Sequence, residues 1–429
     1  MRPKSSIFAK CALFATLGSP AIAQGGGQPS AQPQADSTDP LKVMVARLDL
    51  EKYKSTINGL TKFGDRRQGT DRNRAAVDWI EAQLKSYGCA NIERIKYDYQ
   101  PAPARSGGRA GVSTAAGRGG RGGDSTAAGR GGRGGGRAGQ LASGGGRPRG
   151  IRTPTGVNND SLKQPDVKLR ALNSQPTTPG AREEVVCTKV GTTHPDEMYI
   201  VGGHMDGHGW GEAANDDGSG TALVMELARV FSSPDVQTER SIRFALWNNE
   251  ETGTNGARAY IAQRQALQGV ENPPRSGKYP EPKWLGMIQH DMMMFDHGMP
   301  RPDGTMSPEQ RPEADVNIEF AVASKFAPDA QKLAWALEVA NEKYATDYPA
   351  TVSSHMTNTD SGPFQDLVAA ISLRENERGT QIGNGWDPQW HQPTDLYVTY
   401  NDKDFRLGLN AAQTTLAGVA LLTGAKLKR

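Results

Sequence analysis

An α/β sandwich on a mostly parallel sheet is the fold that this 429-residue sequence predicts. Two observations carry that expectation. Short apolar runs of strand length alternate with longer segments whose apolar residues recur at helical spacing, the pattern of helices crossing between neighbouring strands. The predicted strands also run, at their carboxyl ends, into loops rich in His, Asp and Glu, where open α/β sheets place their functional crevice.

Taken in order, the first helix is expected over 68–88, where Ala76, Val77, Ile80 and Leu84 share a face and Gly88 supplies a stop. Strands follow at 92–99 and, beyond a long interruption, at 184–189. The chain then alternates regularly: strand 198–202, helix 220–231, strand 241–248, helix 256–263 and strand 285–289. After a polar stretch come strand 316–323, helix 328–343 and strand 369–373. A helix around 405–422 closes the body. Gln413, Thr414 and Thr415 interrupt its apolar surface, so it is expected to pack on the sheet and not to enter a membrane.

The flanks and the interruption differ in composition from this body. Arg2, Lys4 and Lys10, an apolar stretch at 11–17 and Ala21-Ile22-Ala23 read as an export signal over residues 1–23, too short to span a bilayer. The expected destination is periplasmic or secreted. Residues 24–40 are read as a disordered lead-in and 41–429 as one domain, carrying a low-complexity insert at 103–181, Gly/Arg-rich and then Thr/Pro-rich. Within it "STAAGRGGRGG" at 113–123 recurs unchanged at 125–135. Nine arginines and one acid give residues 103–150 a charge of +8, and the signal adds +3. Since the whole chain is +3, the remainder is acidic, at −8. Arg-Gly repeats would suit RNA in another setting, but the insert lacks aromatics and follows an export signal, so no nucleic acid is expected. A solvated surface loop is favoured, and weak binding of anionic polymers is left open. After the signal is removed Cys89 and Cys187 remain, and both a disulfide and two buried thiols are open readings.

Chemistry collects where strands end. "GGHMDGHGWGEAANDDGSG" presents His204, Asp206 and Asp216; "WNNEET" presents Glu250 and Glu251; "QHDMMM" presents Asp291; the last strand leads to His391. One such exit is ordinary, whereas four on one edge call for a cation. Imidazole and carboxylate without cysteine suit a catalytic zinc site, and these donors exceed what one open tetrahedral ion needs. They fit two metals sharing a carboxylate and a water or hydroxide. In His-x-Asp, residues two apart on extended chain face the same way, so Asp206 is expected to accept a hydrogen bond close to His204. Each element also has a structural reading: Asp216 or Asp217 as a helix N-cap, His391 as a loop residue, the glutamates as a solvated strand end. His194, His208, His297 and His355 are read as surface or loop residues, with His290 a weaker rival for metal.

The segments "GGHMDGH", "AANDDGSG", "RFALWNNEETGTNGARAY", "IQHDM" and "WHQPTD" resemble the co-catalytic di-zinc peptidases that include secreted bacterial leucine aminopeptidases and plasma glutamate carboxypeptidase; glutaminyl cyclases share their fold. The resemblance implies a three-layer sandwich around a mixed, mostly parallel sheet of the zinc exopeptidase type. It implies two Zn2+ per chain, with His204 and Asp291 on one, Glu251 and His391 on the other, and Asp216 bridging. Glu250 becomes the general base and Asp206 a catalytic support beside His204. The implied reaction is hydrolysis of a peptide near a free terminus through a metal-bridging hydroxide. Gln289, Met293-Met294 and "TDSGPF", with Asp360 but no following His, depart from the family pattern at pocket walls.

The leading expectation is therefore an exported aminopeptidase acting on peptide substrates. A glutaminyl cyclase-like aminoacyltransferase and a carboxypeptidase are alternatives on the same fold, the latter with Arg374 as a conceivable carboxylate anchor. A non-enzymatic binding module using the insert is the alternative from another class. Preferred side chain and oligomeric state are not legible.

Overall fold

The computed structural model describes residues 39–100, 157–295, 316–354, 359–375 and 387–428. The export signal, most of the lead-in, residues 103–156 of the insert, and His297 and His355 lie outside the described residues. In chain order the elements are α1 (Pro40–Val45), α2 (Leu50–Thr61), α3 (Asp71–Ser86), β1 (Ile92–Tyr99), α4 (Val167–Asn173), β2 (Gly180–Lys189), β3 (His194–His204), α5 (Gly218–Phe231), β4 (Val236–Gln237), β5 (Arg240–Trp247), α6 (Asn255–Arg264), β6 (Lys283–His290), β7 (Val316–Phe320), α7 (Ala327–Tyr344), β8 (Ala350–Ser353), β9 (Ala370–Arg374), α8 (Asp402–Thr423) and β10 (Lys426–Leu427).

Eight strands form one mixed sheet in the order β1-β2-β5-β3-β6-β9-β7-β8, and β4 and β10 form a separate two-stranded ribbon. The centre, β5-β3-β6-β9, is parallel throughout. Antiparallel pairing enters only towards the edges, at β1/β2, β2/β5 and β7/β9. The four carboxyl ends of the central strands therefore open on one side, as the α/β expectation required.

Alternation of side chains divides the core between the two faces of the sheet. Val185, Cys187, Val201, Ile242, Phe244, Leu246 and Ile288 pack beneath helices α1, α2, α3, α5, α7 and α8. Val186, Met198, Ile200, Ala245, Trp247 and Met287 face the other way, against Ala257 and Tyr260 of α6, Trp284 and Phe364. Covering both faces explains why "RSIRFALW" reads as an almost unbroken apolar run. Of its two charges, Arg240 pairs with Glu197 at the strand's start, and Arg243 is buried and bound to Glu281 and Tyr260. The helices begin where short polar side chains satisfy free N–H groups: Asp49 for α2, Thr70 for α3, Asp217 for α5 and Asn401, in a capping box with Asp404, for α8. No helix among the described residues is long and apolar enough to cross a membrane.

Two expectations need correction. Residues 157–181, read as continuing the insert, are folded: Asp166 caps α4, and Asn158, Gln164 and Asn173 are buried. Thr, Pro and Asn disguised them because their partners are backbone groups of distant loops, which leave no apolar period. At the other end, Asp39 caps α1, which begins at Pro40, inside the predicted lead-in.

Of the two readings of the cysteines, the structure has the disulfide: Cys89 and Cys187 are bonded, with their Cα atoms 6.3 Å apart. Ile92 pairs with Cys187 across β1 and β2, so the strand register brings the thiols together. The bridge closes a loop of sequence separation 98 that contains the whole insert. Reducing it, or replacing both cysteines by Ser, is expected to lower unfolding free energy by ~2–4 kcal/mol. Denaturant unfolding with and without reductant checks this; a wild-type curve that ignores reductant would argue against it.

Candidate metal centre

The site is assembled at the carboxyl ends of the parallel strands. His204 is the last residue of β3, Asp291 follows β6, Glu250 and Glu251 follow β5, and Asp216 precedes α5. The two glutamates do not continue the strand. β5 stops at Trp247, Asn249 takes a left-handed φ of 64°, and Glu250 starts a turn in which its carbonyl accepts from Gly253 and Thr254. That turn, and not strand alternation, gives the adjacent carboxylates separate surroundings.

The loop from β3 to α5 is held by buried polar groups. Arg66 donates to the carbonyls of Met205, Glu212 and Ala213, each at 2.7 Å. Asp217 caps α5 through Gly220 at 2.9 Å and also accepts the N–H groups of His204 (2.9 Å) and Met292 (3.1 Å). Asp395 accepts from the backbone of Asn215 at 2.8 Å and of Asp216 at 3.1 Å. A Cβ on Gly203 would lie 2.8 Å from Gly220 carbon, so glycine is needed there for α5 to sit directly on β3. The aspartate pair is thus divided: Asp217 is the helix cap, which leaves Asp216 for the site.

Two groups of donors result. His204, Asp216 and Asp291 form one, and His208, Glu251 and His391 the other; within each, one donor atom per residue falls within 4.8 Å of the rest. Asp216 faces both. Its Oδ1 lies 3.4 Å from His204 Nε2 and its Oδ2 lies 2.9 Å from His391 Nε2. His391 Nε2 is in turn 3.0 Å from Glu251 Oε2. His204 Nδ1 is 3.0 Å from the carbonyl of Asp206. A carbonyl only accepts, so Nδ1 carries the proton and Nε2 keeps a lone pair for the site. The expected link between Asp206 and His204 is therefore made by main chain. The Asp206 carboxylate, 3.9 Å from Nδ1, instead accepts the N–H of Glu250 at 3.0 Å.

The charges do not balance without a cation. Asp206, Asp216, Glu250 and Asp291 are all buried. Burial opposes a charged imidazole, but Glu251 and Asp216 push His391 up to about 10. Burial likewise opposes His204, whose pKa Asp216, Asp217 and Asp291 nevertheless hold well above the usual range. Burial would raise Glu251, yet His208 and His391 hold it at about 2. Burial, then Asp360, Glu251 and Asp291, keeps Glu250 well above an ordinary carboxylate, and burial lifts Asp206 to about 6. Asp206 Oδ2, Asp216 Oδ2, Glu251 Oε1, His208 Nε2 and His391 Nδ1 are buried without a hydrogen bond. Such orphaned donors are costly unless an ion satisfies them, so the residues fit a pair of divalent metals.

The structure brings together all seven residues singled out at the strand exits. His290 is not a rival: its nitrogens bond to the Gly202 carbonyl (3.1 Å) and Thr415 Oγ1 (2.8 Å), and burial lowers it to about 4. Arg374 is 2.9 Å from Asp291 and 3.6 Å from Glu319, which makes it structural. His208, read as a surface or loop residue, does lie in a loop, but there it joins the Glu251 group; its four-residue distance from His204 carried no signal of that. Asp360 is fully buried and interacts electrostatically with His204, Asp206, Asp291 and Glu251. Its place in "TDSGPF" was the available hint.

A family model described as Peptidase family M28 matches residues 184–409. The chain is 37% identical over 258 residues to a probable lipoprotein aminopeptidase, LpqL, of Mycobacterium tuberculosis, covering 57% of this chain and 45% of that protein. It is 35% identical over 71 residues to carboxypeptidase Q of Xenopus laevis, covering 17% and 15%. The matches thus span less than half the length of these curated relatives. A solved zinc aminopeptidase from Bacillus subtilis shares the fold, with a TM-score of 0.54 at 14% identity over 89% of this chain and 96% of that one. The family match covers more than half of the sequence and includes every strand exit of the centre, and the chain belongs to peptidase family M28.

Proposed function

We propose that the protein is an exported zinc-dependent exopeptidase that removes amino-terminal residues from peptides. The observation that carries this reading is the division of labour around Asp216: one oxygen faces each donor group, while Glu250 feels the charges of His204 and Asp291 in one group and Glu251 in the other and belongs to neither. His204, Asp216 and Asp291 would hold one zinc, and Glu251, His391 and Asp216 the second. Bound there, zinc supplies Lewis-acid polarisation of the scissile carbonyl and acidifies water.

Glu250 then works as the proton carrier. It accepts a proton from the attacking water as the carbon–oxygen bond forms, and returns it to the leaving amine nitrogen as the carbon–nitrogen bond breaks. Asp206 is a positioning residue, holding the Glu250 N–H through its carboxylate and the His204 tautomer through its carbonyl. Two observations support the amino-terminal direction. Arg374 is committed to Asp291 and Glu319, leaving it unsuited to a substrate carboxylate. Asp360 places a buried carboxyl group beyond the two donor groups, with both oxygens without a hydrogen bond and able to accept from an ammonium group, although burial and the neighbouring carboxylates push its own pKa well above the ordinary range. The likeness to a protein named a lipoprotein aminopeptidase and the signal at residues 1–23 support export.

Glu250→Gln is expected to cut turnover by ~10²–10⁴-fold while zinc content stays unchanged. Persistent amide hydrolysis in that variant would reassign the base. Aminoacyl and amino-blocked peptides, tested with and without chelator, examine the reaction: release from free amino termini alone, abolished by chelator and restored by zinc at about two ions per chain, is the expected result. One zinc with pyroglutamate formation would point to a cyclase, and release from carboxyl termini to a carboxypeptidase. Deleting residues 103–150 is expected to leave hydrolysis nearly unchanged, because the bracing segment from 157 onward stays intact. A large loss would place the insert in the site.

A further inference from the structure

We propose that His208 is a further protein ligand of the metal held by Glu251 and His391, which makes the two metal positions chemically unequal. This rests on the reading of the site as a two-metal centre. His208 lies in the loop between β3 and α5, and its placement there is built. A Cβ on Gly207 would lie 2.4 Å from the Ala213 Cβ, and one on Gly209 would lie 2.4 Å from the His391 carbonyl, so both flanking residues must be glycine for this approach. Gly209 has φ +100°, open to glycine at low cost. The folded segment after the insert secures the same loop. Gln164 donates to the Trp210 carbonyl at 2.9 Å, Asn173 to that of Gly211 at 2.7 Å, and the Asn158 N–H to that of His391 at 3.0 Å.

Held in this way, the His208 ring meets the His391 ring edge-on, with centroids 4.1 Å apart. His208 Nε2 stands 2.9 Å from Glu251 Oε2, and His391 Nε2 stands 3.0 Å from that same oxygen. Despite that proximity, His208 Nε2 is buried and makes no hydrogen bond. Nitrogen and oxygen that approach closely without hydrogen-bond geometry are arranged as two donors converging on one cation. Donors ~2.0–2.2 Å from a tetrahedral zinc lie roughly 3.3–3.6 Å from one another, so the 2.9 and 3.0 Å spacings here would open by a few tenths of an ångström to admit an ion.

The consequence is an asymmetric pair. The His204 position has one imidazole and two carboxylates, leaving an open place for water or substrate. The His391 position has two imidazoles, Glu251 and the second oxygen of Asp216, enough to complete a tetrahedron from protein alone. The His391 position should bind zinc more tightly, and the His204 position should be the one that exchanges its ion and meets the substrate.

Zinc-free protein titrated with zinc against a chromophoric chelator, and separately with Co2+ followed by its visible spectrum, tests this in wild type, His208→Ala and His208→Gln. The expected result is two ions in wild type. In both variants one ion should weaken by at least ~10-fold, with a changed Co2+ spectrum, while the other keeps its affinity. Gln separates the two roles available to His208, because it can still donate a hydrogen bond to Glu251 but is a poor zinc ligand. If Gln retains wild-type affinity and spectrum while Ala does not, His208 only orients Glu251 and the proposal fails. It also fails if both variants titrate like wild type. Fewer than two ions in wild type would instead overturn the two-metal reading itself. Matching unfolding curves for the zinc-free proteins exclude misfolding as the cause.

Discussion

The buried carboxylate of Asp216 is the constraint on which the rest of the site depends. It is a single anion presenting one oxygen to each of two imidazole-containing groups, at the edge of a sheet that excludes water from most of its surroundings. Collecting Asp206, Asp216, Glu250, Glu251, Asp291 and Asp360 in one place is unfavourable in a low-dielectric interior unless positive charge is supplied. His391, whose pKa Glu251 and Asp216 push up, and the guanidinium of Arg374 offset part of it. A divalent ion in each group would offset far more, and the proposed two-metal reading rests on that balance.

Holding such a cage together falls to residues that carry no chemistry of their own. Arg66 ties three carbonyls of the β3–α5 loop, Asp217 joins the end of β3, the start of α5 and the segment after β6, and Asp395 fixes the backbone beneath Asp216. These are buried polar groups satisfied by main chain, so they set positions without competing for the metals. Residues 157–173 add a brace from outside the sheet. An insertion before them is tolerable because closure of a longer loop costs little once both of its ends are anchored, on one side by β1 and the Cys89–Cys187 bridge and on the other by α4 and β2.

Much of this was legible in the sequence because the relevant signals are local. Strand 92–99 was placed to the residue, and most helices within two or three positions, since a buried face imposes its period on neighbouring residues. The strand-exit residues stood out because four exits carried the same unusual chemistry. The misses differ in cause. Helices α1 and α4 and strand β8 are short, with partners distant in sequence, whereas the 12-residue α2 buries Tyr53, Thr56, Ile57 and Leu60 at helical spacing and was missed although its period was present. The turn after Trp247 is not legible at all, because a left-handed Asn249 cannot be told from an extended one by its neighbours.

Sequence alone determined the α/β architecture and which residue types meet at its carboxyl edge, because period and motif order are properties of consecutive residues. Tertiary structure decided the rest: which of Asp216 and Asp217 faces the site, that His290 is a hydrogen-bonded core residue, that His208 stands beside Glu251, and that Cys89 reaches Cys187. Each of these is settled by a contact between segments far apart in the chain, and such contacts follow from strand register and loop packing, which spacing along one sequence does not encode.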